Sequence, residues 1–221
     1  MAIALVTSTS ASSSDAGETC VTSAINTTGA SLLVVGLSFD YDGGGSVSDS
    51  KSNTWNALTI SGASGGGGAK LFYATNPTVG SGHTFSAGAS FLYASIFVLA
   101  FSGAKTTSPF DQQNGASGDA TTLATGSVTP SENNEVLVTV LEINGAGLPV
   151  SINSSFIKQE SKEFSGGNAY GGSIAYLIQT TAGAVNPTWT RTNSNPLATR
   201  IATFKAPASA SAKQLAALGV G

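Results

Sequence analysis

Apolar residues along this chain occur in short runs of about five to eight that are rich in β-branched and aromatic side chains. Gly, Asn, Ser or Pro closes most of these runs, and amphipathic helical periodicity is nearly absent. The pattern therefore predicts an all-β protein. The predicted strands are Ile3–Ser8, Cys20–Ile25, Ser31–Phe39, Thr54–Ile60, Lys70–Thr75, His83–Ala87, Leu92–Ser102, Leu123–Val128, Glu135–Ile143, Phe156–Glu163, Gly172–Gln179, Thr188–Arg191 and Thr199–Lys205.

The chain also contains a faint internal repeat. Gly67–Ala74 reappears as Gly171–Ile178 at an offset of 104, and Leu32–Leu37 aligns with Glu135–Val140 at 103. A period near one hundred residues is too long for a solenoid unit and indicates two similar β-rich halves. We therefore expect one antiparallel, jelly-roll-like β-sandwich over 1–206, with halves at 18–104 and 121–206, a crossover at 105–120 and a C-terminal tail at 207–221.

Two kinds of strand position can be read from the pattern. Leu32–Val35 and Ile96–Leu99 are apolar without alternation, which is typical of strands covered on both faces and predicts central positions in their sheets. Lys158, Glu160 and Lys162 alternate with other residues, which predicts three charges on one solvated face of an edge strand.

Composition narrows the function classes. Charged residues make up 10% of the 221 residues, against about 25% in an ordinary domain, so the surface is expected to be neutral and rich in hydroxyl groups. The formal net charge of −3 argues against nucleic acid as a partner. No run approaches the roughly 20 apolar residues of a membrane helix, and Met1–Val6 lacks the basic flank of an export signal.

Cys20 is the single cysteine and His83 the single histidine. One cysteine cannot form an intrachain disulfide, and its context favours a small buried residue. A catalytic thiol would need a basic neighbour, and Ser/His/Asp hydrolysis would have to use His83. The sequence indicates neither chemistry, and no cofactor is predicted.

Asp40, Asp42 and Asp49 form the densest acidic cluster. Asp40-Tyr41-Asp42-Gly43 has the spacing that can begin a calcium loop, because carboxylates and turn carbonyls are the hard oxygen ligands that this ion prefers. The Glu at the twelfth position of an EF-hand loop is missing. A solvated turn at a strand end is therefore favoured over a metal site.

Two further kinds of site remain open. Glycosidase chemistry needs two carboxyl groups held about 5–9.5 Å apart, one with a raised pKa, and the sequence cannot place any two acids together. The candidate acids are Asp40, Asp49, Asp111, Glu142 and Glu160. Trp55, Tyr41 and Tyr73 could form a platform that stacks on sugar rings, although aromatic residues at strand positions are more often core, which the repeat favours.

The two ends of the chain are predicted to carry assembly contacts. Ile3 and Leu5 lie in the first apolar run, and Leu215 and Leu218 lie three residues apart in an Ala-rich tail with helix propensity. A helix of two turns is not stable alone in water, so the tail is expected either to fray or to dock on a neighbouring surface.

Three segments together resemble β-sandwich segments of phage virion proteins and of uncharacterised bacterial surface proteins. They are Val47–Trp55, Leu71–Asn76 and Ser95–Ala104, and the resemblance extends from about Cys20 to Lys205. It implies a fold and a setting but no catalytic residues.

The function expected from this resemblance is a non-enzymatic structural subunit of a phage particle, such as a capsid decoration, head-fibre or tail-associated protein. Its partners would be copies of itself and other virion proteins. The alternative is an exported carbohydrate-binding or adhesion module at the cell surface, with a host-surface glycan as its ligand.

Overall fold

A computed structural model describes residues 2–13, 17–42, 45–62, 67–145, 148–163 and 170–208, without the side chains of Tyr41 and Asp42. The described residues form strands and turns but no helix, which confirms the all-β prediction. In the first half the strands are β1 (Ala4–Ser12), β2 (Cys20–Val21), β3 (Leu32–Phe39), β4 (Tyr41–Asp42), β5 (Val47–Asp49), β6 (Asn56–Ala57), β7 (Ser61–Gly62), β8 (Gly68–Thr75), β9 (Phe85–Ala87), β10 (Phe91–Leu92) and β11 (Ser95–Ser102). In the second half they are β12 (Phe110–Ala124), β13 (Glu135–Asn144), β14 (Ser151–Ile152), β15 (Ile157–Glu163), β16 (Tyr170–Gln179) and β17 (Thr188–Phe204).

Two six-stranded antiparallel sheets organise the molecule. The first main sheet has the order β1-β11-β3-β8-β6, with β7 also on β8, and the second has the order β12-β17-β13-β16-β15, with β14 also on β17. The apolar runs predicted to be central do lie between two neighbours, because β3 pairs with β11 and β8, and β11 pairs with β1 and β3. The charged strand β15 lies at the edge of its sheet, as predicted.

Each half is a small jelly roll of its own. In the first half, β1-β11-β3-β8 is covered on its outer face by the three-stranded sheet β2-β9-β5. In the second half, β12-β17-β13-β16 corresponds strand for strand, and the covering layer comes from the end of β12, the start of β17 and β14. This alternation of two sheets in one chain is the jelly-roll arrangement.

The two main sheets face each other and share the largest core. Leu32, Val34 and Phe101 from the first half pack with Val136, Val138 and Phe204 from the second. The opposite face of each main sheet buries a separate apolar cluster against its own covering layer. The chain therefore stacks four layers, with the seam between the two halves at the centre.

The structure corrects the register of the repeat by one residue. Tyr73 pairs with Val34 and Tyr176 with Val138, and both tyrosines face the shared core, so β8 corresponds to β16 at an offset of 103. Leu32 corresponds to Val136 at an offset of 104, rather than to Glu135. A shift of one residue moves every side chain of a strand to its other face, so the distinction decides which residues are buried.

Several predicted segments lie elsewhere than expected. The segment expected as a crossover at 105–120 is largely strand β12, which pairs with β17 along most of its length. Ile3 is buried in the shared core, and Leu5 packs against this core but remains partly exposed; the assembly contacts predicted for these two residues stay a prediction. Leu215, Leu218 and the predicted tail helix lie outside the described residues.

The three charged side chains predicted to share one face of β15 do not all lie on the same face. A β-bulge between Lys158 and Glu160 changes the register of β15, which places their side chains on opposite faces. Glu160 accepts hydrogen bonds from Ser8 and Ser10 of β1, each at 2.9 Å. Its carboxylate therefore joins the edges of the two halves rather than lying in solvent.

Candidate functional site

Asp49 is the centre of a buried hydrogen-bond network in the first half. Its Oδ1 accepts from the Lys51 amide at 2.8 Å and from Nδ2 of Asn53 at 3.1 Å. Its Oδ2 accepts from the Asn53 amide at 3.2 Å and from Nε1 of Trp55 at 2.8 Å. The carboxylate thus closes the turn after β5 and holds the indole of Trp55.

His83 extends this network to a third loop. Its Nε2 lies 2.9 Å from Oδ1 of Asp49, and its Nδ1 lies 2.8 Å from the hydroxyl of Thr27. The Thr27 hydroxyl also exchanges hydrogen bonds with the backbone of Gly80. Burial pushes the pKa of Asp49 upward, but the hydrogen bonds from His83, the Lys51 amide and Trp55 outweigh burial, so the pKa lies below its ordinary value.

Thr27, His83 and Asp49 follow one another in the order of a catalytic triad, hydroxyl, imidazole and carboxylate. The likeness ends with this order. Thr27 and His83 are both 0% exposed, and Thr27 Oγ1 is already engaged by Gly80, so no substrate carbonyl could reach the hydroxyl. The oxygens of Asp49 accept five hydrogen bonds, so this network holds the surrounding loops together. The metal site expected from Asp40, Asp42 and Asp49 stays a prediction.

Trp55 and Tyr73, two of the three aromatic residues predicted as a sugar platform, are held in packing; the side chain of Tyr41 lies outside the described residues. Trp55 is half-buried, lies edge-on to Phe85 at 6.2 Å between ring centroids, and donates to Asp49. Tyr73 stacks on Phe110 at 5.9 Å beside the shared core. Burial raises the pKa of Tyr73. Trp55 and Tyr73 pack against different apolar clusters, and their role in sugar binding stays a prediction.

A second acidic group lies at the seam between the halves. Glu142 is on the face of β13 that points into the shared core, beyond Val138 and Val140, and it is 1% exposed. By distance and angle neither of its carboxyl oxygens is hydrogen-bonded in the described part of the chain, although the Ala198 amide lies near enough to favour the charged form. Burial raises the pKa of Glu142 to about 8; the charge of Asp40 adds to this, and the Ala198 backbone and the Arg191 guanidinium offset it only in part.

Asp40 follows β3 and approaches Glu142 from the first half. Its Oδ1 is buried and has no hydrogen-bond partner among the described residues. Burial raises the pKa of Asp40, and a hydrogen bond from the Tyr170 hydroxyl lowers it in part. Tyr170 stacks on Tyr93 at 4.9 Å between centroids, and both rings are half-buried. Two tyrosines and two carboxyl groups from opposite halves therefore converge at one place.

Gly67 closes this seam cluster, by which we mean Asp40, Tyr93, Glu142 and Tyr170. A Cβ on Gly67 would lie 2.6 Å from Oε1 of Glu142 and 3.3 Å from the carbonyl oxygen of Phe39. The backbone just before β8 can approach the carboxyl group this closely only because residue 67 has no side chain.

The sequence indicated this cluster only in part. Asp40 and Glu142 were two of five candidate acids, and Tyr170 was not singled out. The usable signal was Glu142 itself, a charged residue near the end of the otherwise apolar run Val136–Ile143. Its partner across the seam could not be identified without the packing of the two sheets.

Other candidate sites are closed or small. Burial raises the pKa of Cys20 to about 11, so its thiol is not the reactive thiolate. An open groove of about 240 Å³ beside Val150 and Thr190 is smaller than the roughly 300–1,000 Å³ typical of ligand pockets. Among the described residues, no three His, Cys, Asp or Glu side chains gather as ligands for one metal ion, and no helix is long and apolar enough to cross a bilayer.

No protein-family model, curated protein or solved structure matches the chain. The sheet order and the shared core define the protein as an all-β chain of two jelly-roll halves. The resemblance to virion and surface proteins remains a prediction.

Proposed function

We propose that this protein is a non-catalytic structural subunit of a phage particle, serving as a capsid decoration, head-fibre or tail-associated protein. The observation that carries the proposal is the fusion of two jelly-roll halves through one shared core. Jelly rolls recur in viral capsid proteins, and the argument from fold to function is an analogy of architecture. A stiff four-layer unit is suited to repeated contacts in a shell or fibre.

The surface supports the same proposal. With 10% charged residues, contacts between copies would contain few ion pairs, so they would withstand changes of salt. Strand β12 is 15 residues long and lies at the end of its sheet, and its side chains are half-buried to exposed and mostly uncharged. A long uncharged edge is a ready template for pairing with another chain.

Immunogold electron microscopy tests the setting. Antibodies raised against the purified protein should decorate phage particles released from the source culture at regular positions. Unlabelled particles in a preparation whose lysate contains the protein would contradict the proposal.

Analytical ultracentrifugation tests the assembly edge. The wild-type chain should form discrete oligomers whose stability does not change between low and high NaCl. Ser117→Lys with Thr121→Lys, which charges the exposed positions of β12, should shift the population to monomer. The matched control is Thr78→Lys in an exposed loop. A wild-type monomer at every concentration, or equal effects of the edge and loop changes, would argue against assembly through β12.

The second candidate function is a carbohydrate-binding or adhesion module. It is favoured by the stacked pair Tyr93–Tyr170 beside Asp40, since aromatic faces next to a carboxylate are suited to sugar rings. A glycan array should then show saturable binding that Tyr170→Ala abolishes. Trp55→Ala is a poorer probe, because it removes a hydrogen bond from the buried Asp49 and so disturbs the fold.

A further inference from the structure

The seam cluster presents carboxylate oxygens in a form that ordinary packing does not explain. Both oxygens of Glu142 and Oδ1 of Asp40 are buried without a hydrogen-bond partner in the described part of the chain. A buried polar atom without a partner is energetically costly, and native structures contain few of them unless a water or ion is bound. Three such oxygens on two neighbouring acids therefore point to a positively charged ligand.

The main chain adds a further oxygen at the same place. The carbonyl oxygen of Phe39 and Oε1 of Glu142 both lie close to the space that a Cβ would fill if residue 67 were not glycine. Carboxylates together with backbone carbonyls are the ligand set of Ca²⁺, which accepts irregular geometry and six to eight oxygens. Mg²⁺ requires near-ideal octahedral geometry, which is a poorer match to an irregular set of ligands from the end of β3 and from β13.

Charge around the cluster favours a divalent cation. Arg191 of β17 approaches Glu142, but it also interacts with Glu163 at the end of β15. Among these described groups, the ionised forms of Asp40, Glu142 and Glu163 face one guanidinium. The carboxyl groups of Asp40 and Glu142 therefore lie beside a guanidinium that also interacts with a third acid, and a bound cation would stabilise their ionised forms.

We propose that Asp40 and Glu142, with the main-chain carbonyl of Phe39, bind a Ca²⁺ ion that ties the two jelly-roll halves together at their seam. This goes beyond the structural role proposed above, because it assigns a ligand and its site. With two carboxylate side chains, the dissociation constant is expected in the range of about 10⁻⁴–10⁻³ M, as in extracellular calcium modules.

Terbium luminescence provides a direct measurement, because Tb³⁺ occupies Ca²⁺ sites and is excited by nearby tyrosines. The wild-type protein should give saturable emission on addition of TbCl₃, through Tyr170 and Tyr93, and CaCl₂ should displace it. Glu142→Gln and Asp40→Asn should each weaken Tb³⁺ binding at least tenfold. Glu160→Gln is the matched control, since Glu160 is a partly buried acid held by Ser8 and Ser10.

Thermal unfolding gives a second readout. In 10 mM CaCl₂ the wild-type Tm should rise by about 4 °C relative to EDTA, and Glu142→Gln should show no rise. If Glu142→Gln does not fold, Asp40→Asn carries the test. Absence of saturable emission from the wild type, or equal binding by the wild type and both variants, would overturn the site and show that Glu142 is only a protonated buried acid.

Discussion

The two halves share a topology but treat a buried acid in opposite ways. In the first half Asp49 accepts five hydrogen bonds, and they lower its pKa despite burial. In the second half Glu142 has no hydrogen-bond partner among the described residues, and burial raises its pKa to about 8. The contrast shows that burial alone does not decide the charge state of an acid, because the donors around it do.

The equivalent positions make the contrast sharper. Asp49 lies opposite Phe85, and the corresponding pair in the second half is Ile152 opposite Trp189. His83 bridges to Ile25, and Val185 bridges to Val128 in the same way. One fold therefore accepts either a polar network or an apolar cluster beneath the same strands.

The same is true at the seam. Glu142 pairs with Ala198, and its counterpart Ser38 pairs with Ser95. Ser38 donates to the carbonyl of Gly171 across the seam, whereas Glu142 has no such partner among the described residues. At this position the first half has a hydrogen-bonded serine, whereas the second half has the acid that we propose as a Ca²⁺ ligand.

Removal of the paired acid is expected to have the largest effect. Asp49→Ala leaves His83, Trp55 and two backbone amides without their acceptor in a buried site, so the free energy of unfolding should fall by about 3–5 kcal/mol. Urea denaturation measures this loss.

His83→Val should lower the free energy of unfolding less in an Asp49→Ile background than in the wild type. In that background both positions carry the residues found at the equivalent places of the second half. Equal costs would separate His83 from the network.

The pH dependence of stability should identify the unpaired acid. The pKa of Glu142 is raised in the folded state, so the native protein holds a proton that the unfolded chain loses, and stability in EDTA should fall as pH rises from about 4.5 to about 8. The expected loss is at most about 5 kcal/mol, and Glu142→Gln should remove it. Asp49 acts with the opposite sign, since its lowered pKa makes stability fall only as pH drops below about 4. Denaturant midpoints measured across this pH range report both the loss of stability at high pH and the loss at low pH. An identical slope in Glu142→Gln would contradict the assignment.

Gly67→Ala probes the contact that closes the seam. The added Cβ would lie 2.6 Å from Glu142 Oε1, so the variant should lose about 1–3 kcal/mol in thermal or urea unfolding. Glu142→Ala in the same chain should recover part of this loss, because it removes the clashing oxygen. A full loss in the double variant would place the strain on the backbone of Phe39 instead.

Ser10→Ala is expected to have the smallest effect. It removes one of two serine donors to Glu160 at the partly exposed contact between β1 and β15, which should cost about 0.5–1 kcal/mol. A double-mutant cycle with Glu160→Gln measures the coupling. A coupling of zero would mean that this contact does not help to hold the halves together.

The sequence predicted the elements whose signal is local. The unbroken apolar runs in β3 and β11 identified central strands, and the charges of β15 identified an edge. Most of strand β12 was missed, and only its end at Leu123 was predicted, because Phe110 and Leu123 are its only large apolar residues and its structure depends on pairing with β17. The repeat was found, but its register was wrong by one residue, since alignment by similarity does not know which face of a strand is buried.

The candidate site shows the same division. Amino-acid pattern by itself determined the all-β class, the two related halves and the low surface charge, because strand propensity, alternation and composition are properties of neighbouring residues. Tertiary structure alone decided that Asp49 meets His83 and that Glu142 meets Asp40, since these pairs are 34 and 102 residues apart in the chain. The charge state of a buried acid depends on donors brought by other strands, so no inspection of the residues around it in sequence could have distinguished the satisfied carboxylate from the open one.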